Sequence, residues 1–444
     1  MASYELTLKV DLPDSLGNFQ EIESKILAAR NTAGLKLLEA VMADQEQLLL
    51  KRMRVVKKDC REKEFQTRLG SLRLKRWRGS QGGKSSYPLD LWAGLSPRQK
   101  VTPGLQAEIV EQCVHKPYAK ASLDVTKLTN VERSVPSNWR LIQKFAQQKF
   151  DKQKPPEDWS KKDLPELRPG VKDLCPILAI DPDATYVRPR RKSDKKHEVK
   201  LAVLYTAKQP FAKSKGKLRW ALAQKQLVLP PPNSSAEDLF AKVVHKAVSD
   251  YGLHNRTQTI CHGDGDSWIK QLRNHYIPQT INRLDPYHAF VKIQQATGLE
   301  KLPSHWIRDF YSNPQRLIDK LKHLHHELAE PHEQEKLSNL IAYLQNNLDG
   351  MRPSGISKEI KTQYPRMFRR GSGTIESNVD WIVGTRFKRP RMNWSELGLR
   401  NLLLLREDFL NKNSNFKPVS YNPQSFRKSL AQELKELIRE RASS

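Results

Sequence analysis

Cysteine is scarce in this chain of 444 residues: Cys60, Cys113, Cys175 and Cys261 are scattered, and no two stand as C-x-x-C. That pattern excludes the common zinc modules and a disulfide framework, and it suits a reducing compartment. Long apolar runs are lacking too. No window approaches eighteen consecutive apolar residues, so no membrane-spanning helix is expected. The opening Met1-Ala-Ser-Tyr-Glu-Leu has no basic segment leading into an apolar stretch, so no secretory signal is expected and a cytoplasmic place is. Negative charge is in deficit: 49 Asp+Glu face 77 Lys+Arg, a net charge of +28. A surplus of that size sets up a field that collects polyanions, and neutralising phosphates with release of counterions is its usual use. Hydrophobic residues, at 38%, still suffice for a real core.

What is present is ordered in blocks. Ile22, Ile26, Leu27, Leu37, Leu38, Val41 and Leu48 recur at helical spacing and predict a long helix over residues 18–60, with Gly34 inside it. Leu72 and Leu74 alternate with Arg73 and Lys75 beside Gly70, which predicts a short hairpin with a basic face. Gly82-Gly-Lys-Ser lacks the full phosphate-loop spacing, because Arg78 stands where a glycine is required. Short helices fill residues 97–147. A helix from Tyr118, a polar turn at Thr129-Asn-Val-Glu-Arg-Ser and a second helix bearing Trp139, Ile142 and Phe145 on one face outline a helix-turn-helix. Arg140 and Lys144 are its groove-side candidates. Residues 1–86 therefore form an N-terminal helical region with a hairpin, and residues 87–150 a DNA-binding region.

A Lys/Pro/Asp-rich linker over 151–173 precedes a change of texture. Ile177-Leu-Ala-Ile-Asp reads as a buried strand, Val199–Tyr205 as a second, and Leu218–Leu229 as a third. Ser234-Ser-Ala-Glu237 reads as a capping box opening a helix with Leu239, Val243, Val244 and Val248. Thr257-Gln-Thr-Ile-Cys is a strand running into His262-Gly-Asp-Gly-Asp, and a helix begins at Trp268. This alternation argues for an α/β layer fold. Residues 286–364 look like an all-α insertion, so the core spans 174–285 and 365–411, and 412–444 is a polar tail. His323, His325, His326 and His332 lack an i, i+4 pair and read as solvated side chains.

Three acids stand at element ends beside small residues: Asp183 after the first strand, Asp264 after Thr257–Cys261, and Glu376 in Gly371-Ser-Gly-Thr-Ile-Glu-Ser-Asn at a helix start. Each alone has a plain alternative as a turn or cap. Together, carboxylates at neighbouring strand ends and on a packing helix can converge on a hard cation, Mg²⁺ or Mn²⁺. Arg386-Phe-Lys-Arg-Pro-Arg follows, and Arg386, Lys388, Arg389 and Arg391 are candidate grips on phosphates.

Several segments, in order, resemble the ISLre-type insertion-sequence transposases, relatives of the Mutator-like DDE enzymes. They are Tyr87-Pro-Leu-Asp-Leu-Trp-Ala-Gly-Leu-Ser-Pro-Arg-Gln-Lys-Val-Thr-Pro-Gly-Leu, Asp183-Ala-Thr-Tyr-Val, Gly263-Asp-Gly-Asp-Ser-Trp-Ile and Gly371-Ser-Gly-Thr-Ile-Glu-Ser-Asn-Val. Leu284-Asp-Pro-Tyr-His is similar to a C/D-x-x-H signature of related transposases. The resemblance implies an RNase H-like core interrupted by a helical insertion. It implies Asp183, Asp264 and Glu376 as ligands of two Mg²⁺ (or Mn²⁺) ions, with Asp285 and His288 as supporting groups. It implies cleavage and strand transfer of double-stranded DNA at element ends, by a homodimer or larger assembly associated with the nucleoid. Ala184 departs from the family's glycine, and Asp181 and Asp266 lie close enough to compete for the first two roles. Val187, and the pair Gly265 and Trp268, favour Asp183 and Asp264 by register. A nuclease of the same fold that does not join ends, or a domesticated DNA-binding derivative, are the alternatives.

Overall fold

The computed structural model describes residues 3–7, 18–53, 55–81, 84–96, 98–152, 155–156, 158–167, 175–214, 217–352, 358–364, 367, 374–389 and 392–411. It is a mixed α/β chain in two compact units, Met1–Lys149 and Phe150–Lys412.

The first unit opens with α1 (Phe19–Arg52), whose N-cap Asn18 accepts from the Glu21 amide. The expected helix to residue 60 ends eight residues early. Val56-Lys-Lys-Asp-Cys-Arg-Glu-Lys-Glu-Phe consists largely of good helix formers, but β1 (Val56–Thr67) pairs along its length with β2 (Gly70–Gln81), and tertiary pairing overrides propensity. β3 (Lys84–Ser86) extends this sheet. Leu72 and Leu74 are buried with Phe65, Leu89 and Leu95, while Arg73 and Lys75 face outward. Arg76 turns inward, lies over the rings of Phe65 and Tyr87, and pairs with Asp90 at 2.5 Å. Asp90 lies in α2 (Pro88–Trp92), which is followed by α3 (Pro103–His115), α4 (Tyr118–Thr129) and α5 (Val135–Phe150). Asn130 takes the left-handed conformation that ends α4, and Asn138 on α5 donates to Ser122 on α4 at 2.9 Å. Ile142 and Phe145 are buried as expected of an inner face, but Trp139 is not on it: its side chain is 43% exposed. Arg140 and Lys144 are exposed.

The second unit is built on a five-stranded sheet. β4 (Ile177–Val187) and β5 (His197–Tyr205) form an antiparallel pair. β6 (Ala207–Ser214) and β7 (Lys217–Ala223) make a separate ribbon, so the single strand expected over 218–229 is two: β7 and β8 (Gln226–Val228), the latter pairing with β5. α6 (Ala236–Lys246) is capped by Ser235 with Asp238, one residue later than the expected box. β9 (Gln258–Gly263) follows, then the expected helical segment, a 3₁₀ turn (Ser267–Lys270) running into a π-helical turn (Leu272–Tyr276), and β10 (Ile281–Leu284). The strand order is β10-β9-β4-β5-β8, with β9 parallel to both β4 and β10.

One sheet face, with Leu178, Ile180, Ala202, Leu204, Val228 and Cys261, packs on Leu239, Phe240, Val243 and Val244 of α6. Residues of opposite parity on β4, including Asp181 and Asp183, point to the other face. The helical block between β10 and that face comprises α7 (Pro286–Thr297), α8 (Ser304–Ser312), α9 (Pro314–Glu327), α10 (Pro331–Asn346) and α11 (Leu348–Met351). It buries a core of its own, with Leu321, Leu337, Leu340, Ile341 and Leu344 in it. α12 (Lys358–Gln363), α13 (Thr374–Val379), α14 (Thr385–Phe387) and α15 (Glu396–Leu410) are the last helices among the described residues, with α13 against β4 and β5 and α15 against β8.

Candidate metal centre

The parallel register decides which acids meet. Ile180 on β4 is opposite Cys261 on β9, so continuing both strands by three residues sets Asp183 beside Asp264. Leu284 on β10 is opposite Gly263, so one further residue sets Asp285 beside Asp264 on the other side, and the Asp285 amide donates to the Gly263 carbonyl at 2.8 Å. Neighbouring strands are about 4.8 Å apart. Three adjacent strands therefore deliver a row of three carboxylates; Asp183, expected after its strand, lies within β4, which continues to Val187, while Asp264 and Asp285 each follow the last residue of theirs.

Two helices close the row. Asp285 is the N-cap of α7, and His288 lies one turn in. Glu376 stands in the first turn of α13. The His288 Nε2 lies 3.1 Å from Glu376 Oε1 and 3.8 Å from Asp285 Oδ2. Asp285, His288 and Glu376 each offer one atom within 4.8 Å of the others, the dimension of a cation's ligand shell. Asp183 and Asp264 border this cluster. Burial pushes the Asp183 carboxyl up to about 6, with the Asp264 and Glu376 charges adding and His288 opposing. Burial, then Glu376, pushes Asp285 up to about 6 as well. Glu376 moves the other way, held below its usual range by its bond to His288, while that bond raises His288.

The competing acids are disposed differently. Asp181 is fully buried and bonded to His262 and Tyr205, so it has no oxygen free for the row. Asp266 donates its amide to Asp264 Oδ1 at 3.0 Å, and burial followed by Asp264 raises its carboxyl.

The residues fit a hard cation. Among the described residues, no donor hydrogen-bonds to either carboxylate oxygen of Asp285 or to Oε2 of Glu376, although these atoms are buried. Buried carboxylate oxygens are normally satisfied, and oxygen donors with one imidazole suit Mg²⁺ or Mn²⁺.

Of the expected phosphate grips, Lys388 bonds the Thr185 hydroxyl on β4, and burial lowers its pKa while Asp183 raises it. Arg389 is exposed, and Arg391 and Gly371-Ser-Gly lie outside the described residues. Arg386 departs from expectation. It is 1% exposed, with its guanidinium over the rings of Phe387 and Trp394, so it is a packing cation with no surface for a phosphate.

Sequence reasoning missed two residues of the helical block. The Tyr343 hydroxyl donates to the Asp264 carbonyl, and Asn347 Nδ2 donates to the Gly265 carbonyl at 3.1 Å. The apolar stripe of α10 is legible in the sequence, but nothing at 343 or 347 points to residue 264.

The sheet and its cluster define a mixed α/β chain with a carboxylate–histidine centre at parallel strand ends. Residues 14–415 match the uncharacterised protein family UPF0236, and the chain belongs to that family. A UPF0236 protein of Caldanaerobacter subterraneus subsp. tengcongensis, whose name carries eleven locus designations, is 20% identical over 406 residues, covering 88% of this chain and 77% of its own. A UPF0236 protein in the vanSb 3′ region of Streptococcus gallolyticus is 23% identical over 349 residues, covering 76% and 70%. Among solved structures, the Drosophila P element transposase strand transfer complex is similar at 12% identity over 74% of this chain and 86% of that one. Its TM-score of 0.23 carries no argument about fold or function.

Proposed function

We propose that this chain is a DDE transposase of the ISLre-type, Mutator-like group, which cuts DNA strands and joins them to new sites. The observation that carries the reading is the row Asp183, Asp264 and Asp285 across three adjacent strands, closed by Glu376 and His288. The strand order, with β5 antiparallel to both its neighbours and β9 and β10 parallel to β4, supports an RNase H-like core. The eleven loci under one relative's name suit a gene that multiplies itself.

Asp183, Asp264 and Glu376 would hold the ions, with Asp285 and His288 beside them. A pair of Mg²⁺ or Mn²⁺ ions, when bound, supplies activation of the attacking oxygen and neutralisation of the leaving one in an in-line displacement at phosphorus. Water attacks first and releases a DNA 3′-hydroxyl. That hydroxyl then attacks a target phosphodiester, so one P–O bond forms as another breaks. Lys388 sits beside Asp183, where its charge meets the incoming phosphate. α4 and α5 act as a helix-turn-helix whose Arg140 and Lys144 face the major groove, and the net charge of +28 supplies phosphate affinity. Holding two ends together calls for at least a homodimer on DNA. No helix among the described residues is long and apolar enough to cross a membrane.

The test uses purified full-length protein, Mn²⁺ and labelled element-end duplexes, intact or pre-cleaved. Cleavage and joining that disappear in Asp264→Asn while DNA binding persists is the expected result. Cleavage without joining reassigns the protein as a nuclease, and full activity in Asp264→Asn removes the proposed centre.

A further inference from the structure

Behind the carboxylate row lies a second polar layer, fully enclosed. Asp181 and Tyr205 are 0% exposed and His262 is 5% exposed. The Tyr205 hydroxyl donates to Asp181 Oδ2 at 3.2 Å, and His262 Nδ1 lies 2.8 Å from Asp181 Oδ1. The Thr374 side chain lies by the Tyr205 oxygen and opposes the rise that burial and Asp181 cause in its pKa. Four segments are thus tied at one point: β4, β5, β9 and the start of α13.

The spacing of these residues is informative. Asp181 lies two residues before Asp183 on the same strand face. His262 lies two residues before Asp264, and Thr374 two before Glu376. The register agrees, since Asp181 and His262 are each one residue past the Ile180–Cys261 pair. A strand advances about 3.3 Å per residue, so a shift at residue 181 or 262 passes with little slack to the acid that follows. Thr374 lies in the first turn of the helix that bears Glu376.

Stability gives little reason to keep this layer. A buried carboxylate is costly to desolvate, and apolar replacements of similar volume are often neutral or stabilising. The neighbouring positions of the same face, Ile177 and Ala179, are apolar and fully buried.

We infer that Asp181, Tyr205, His262 and Thr374 form a positioning layer that sets the spacing of Asp183, Asp264 and Glu376. This rests on the reading of those three acids as metal ligands. Deleting one bond of the layer loosens the row without removing a ligand, and orienting partners of this kind are worth roughly 10–100-fold in metal affinity.

The experiment is Mn²⁺ titration of the full-length protein, well below its melting temperature, alongside circular dichroism. Wild type is compared with Tyr205→Phe, Thr374→Val, their double variant, Asp181→Asn and Asp183→Asn. The expected result is that Asp183→Asn abolishes tight binding. Tyr205→Phe and Thr374→Val fold normally but bind Mn²⁺ roughly 10–100-fold more weakly, and the double variant loses less than the sum of the two. Wild-type affinity in the folded Tyr205→Phe and Thr374→Val variants, with binding lost in Asp183→Asn, overturns the positioning layer and leaves the metal reading standing. Wild-type affinity in Asp183→Asn instead overturns the metal reading, and the layer with it. If Asp181→Asn does not fold, the two milder variants still decide the matter.

Discussion

Gly265 is the residue whose replacement reports most directly on how Asp264 is held. Its φ is +87°, and a methyl added there would lie 2.8 Å from Asn347 Nδ2 and from Leu284 Cδ1, and 2.9 Å from Tyr343 Cε2. Gly298 gives the control, with φ of +69° and nothing within 4 Å. For both, Gly→Ala carries the left-handed penalty of roughly 1–2 kcal/mol. Gly265→Ala adds overlap with three packed atoms, worth about 1–3 kcal/mol more. Two of those contacts are the side chains that bond the Asp264 and Gly265 carbonyls, so the strain falls on the acid's own support. Urea unfolding of the full chain followed by circular dichroism should show Gly265→Ala losing about 1–3 kcal/mol more than Gly298→Ala. Mn²⁺ titration should show weaker binding in Gly265→Ala alone. Equal destabilisation of the two variants, with wild-type Mn²⁺ affinity in both, would refute the claim that the helical block holds the second acid.

Other consequences can be measured separately. Asp183 and Asp285 are both pushed up to about 6, so the proton competes with the cation below that value, and Mn²⁺ affinity should fall as pH drops through 6. The same raised values mean that the folded state without metal binds more protons than the unfolded chain between the ordinary carboxylate range and 6. Stability measured in chelator should therefore rise, through these groups, as pH falls from 7 to 5, and the same pH dependence in Asp183→Asn/Asp285→Asn as in wild type would exclude them as titrating groups. Arg140→Ala and Lys144→Ala should weaken DNA binding, and loss of a phosphate contact should lower the slope of log affinity against log salt by about 1 per residue. Arg76→Ala leaves the buried Asp90 to Lys63, 3.6 Å away, and should destabilise the N-terminal unit by up to about 3–5 kcal/mol in denaturant unfolding.

The strands that carry the row were legible where burial wrote a pattern. Ile177-Leu-Ala-Ile is a short apolar run that opens β4, and Thr257-Gln-Thr-Ile-Cys, rich in β-branched residues, leads into β9, which ends one residue before Asp264. β1 was invisible because most of its residues face solvent, so a strand rich in Lys, Arg and Glu has no period-two signal and reads as helix. β10 is four residues long, and three of them are only half-buried. Asp264 could be singled out from its place beside small residues past a strand end, whereas Asp183, expected after its strand, stands within β4. The layer of Asp181, Tyr205 and His262 could not, since its members are joined only through the pairing of β4, β5 and β9. Arg386 misled for a related reason: a basic run looks alike whether its members stack on buried rings or meet water.

The hydrogen bond between His288 and Glu376 spans 88 positions of chain. Translation at about 5–20 residues per second puts roughly 4–18 s between the emergence of the two partners. A nascent polypeptide by then displays its first unit, Met1–Lys149, and the acids of the sheet, while the helix that completes the cluster is still unmade. A copy terminated before residue 374 would therefore carry the acids of the sheet without the helix that closes the cluster.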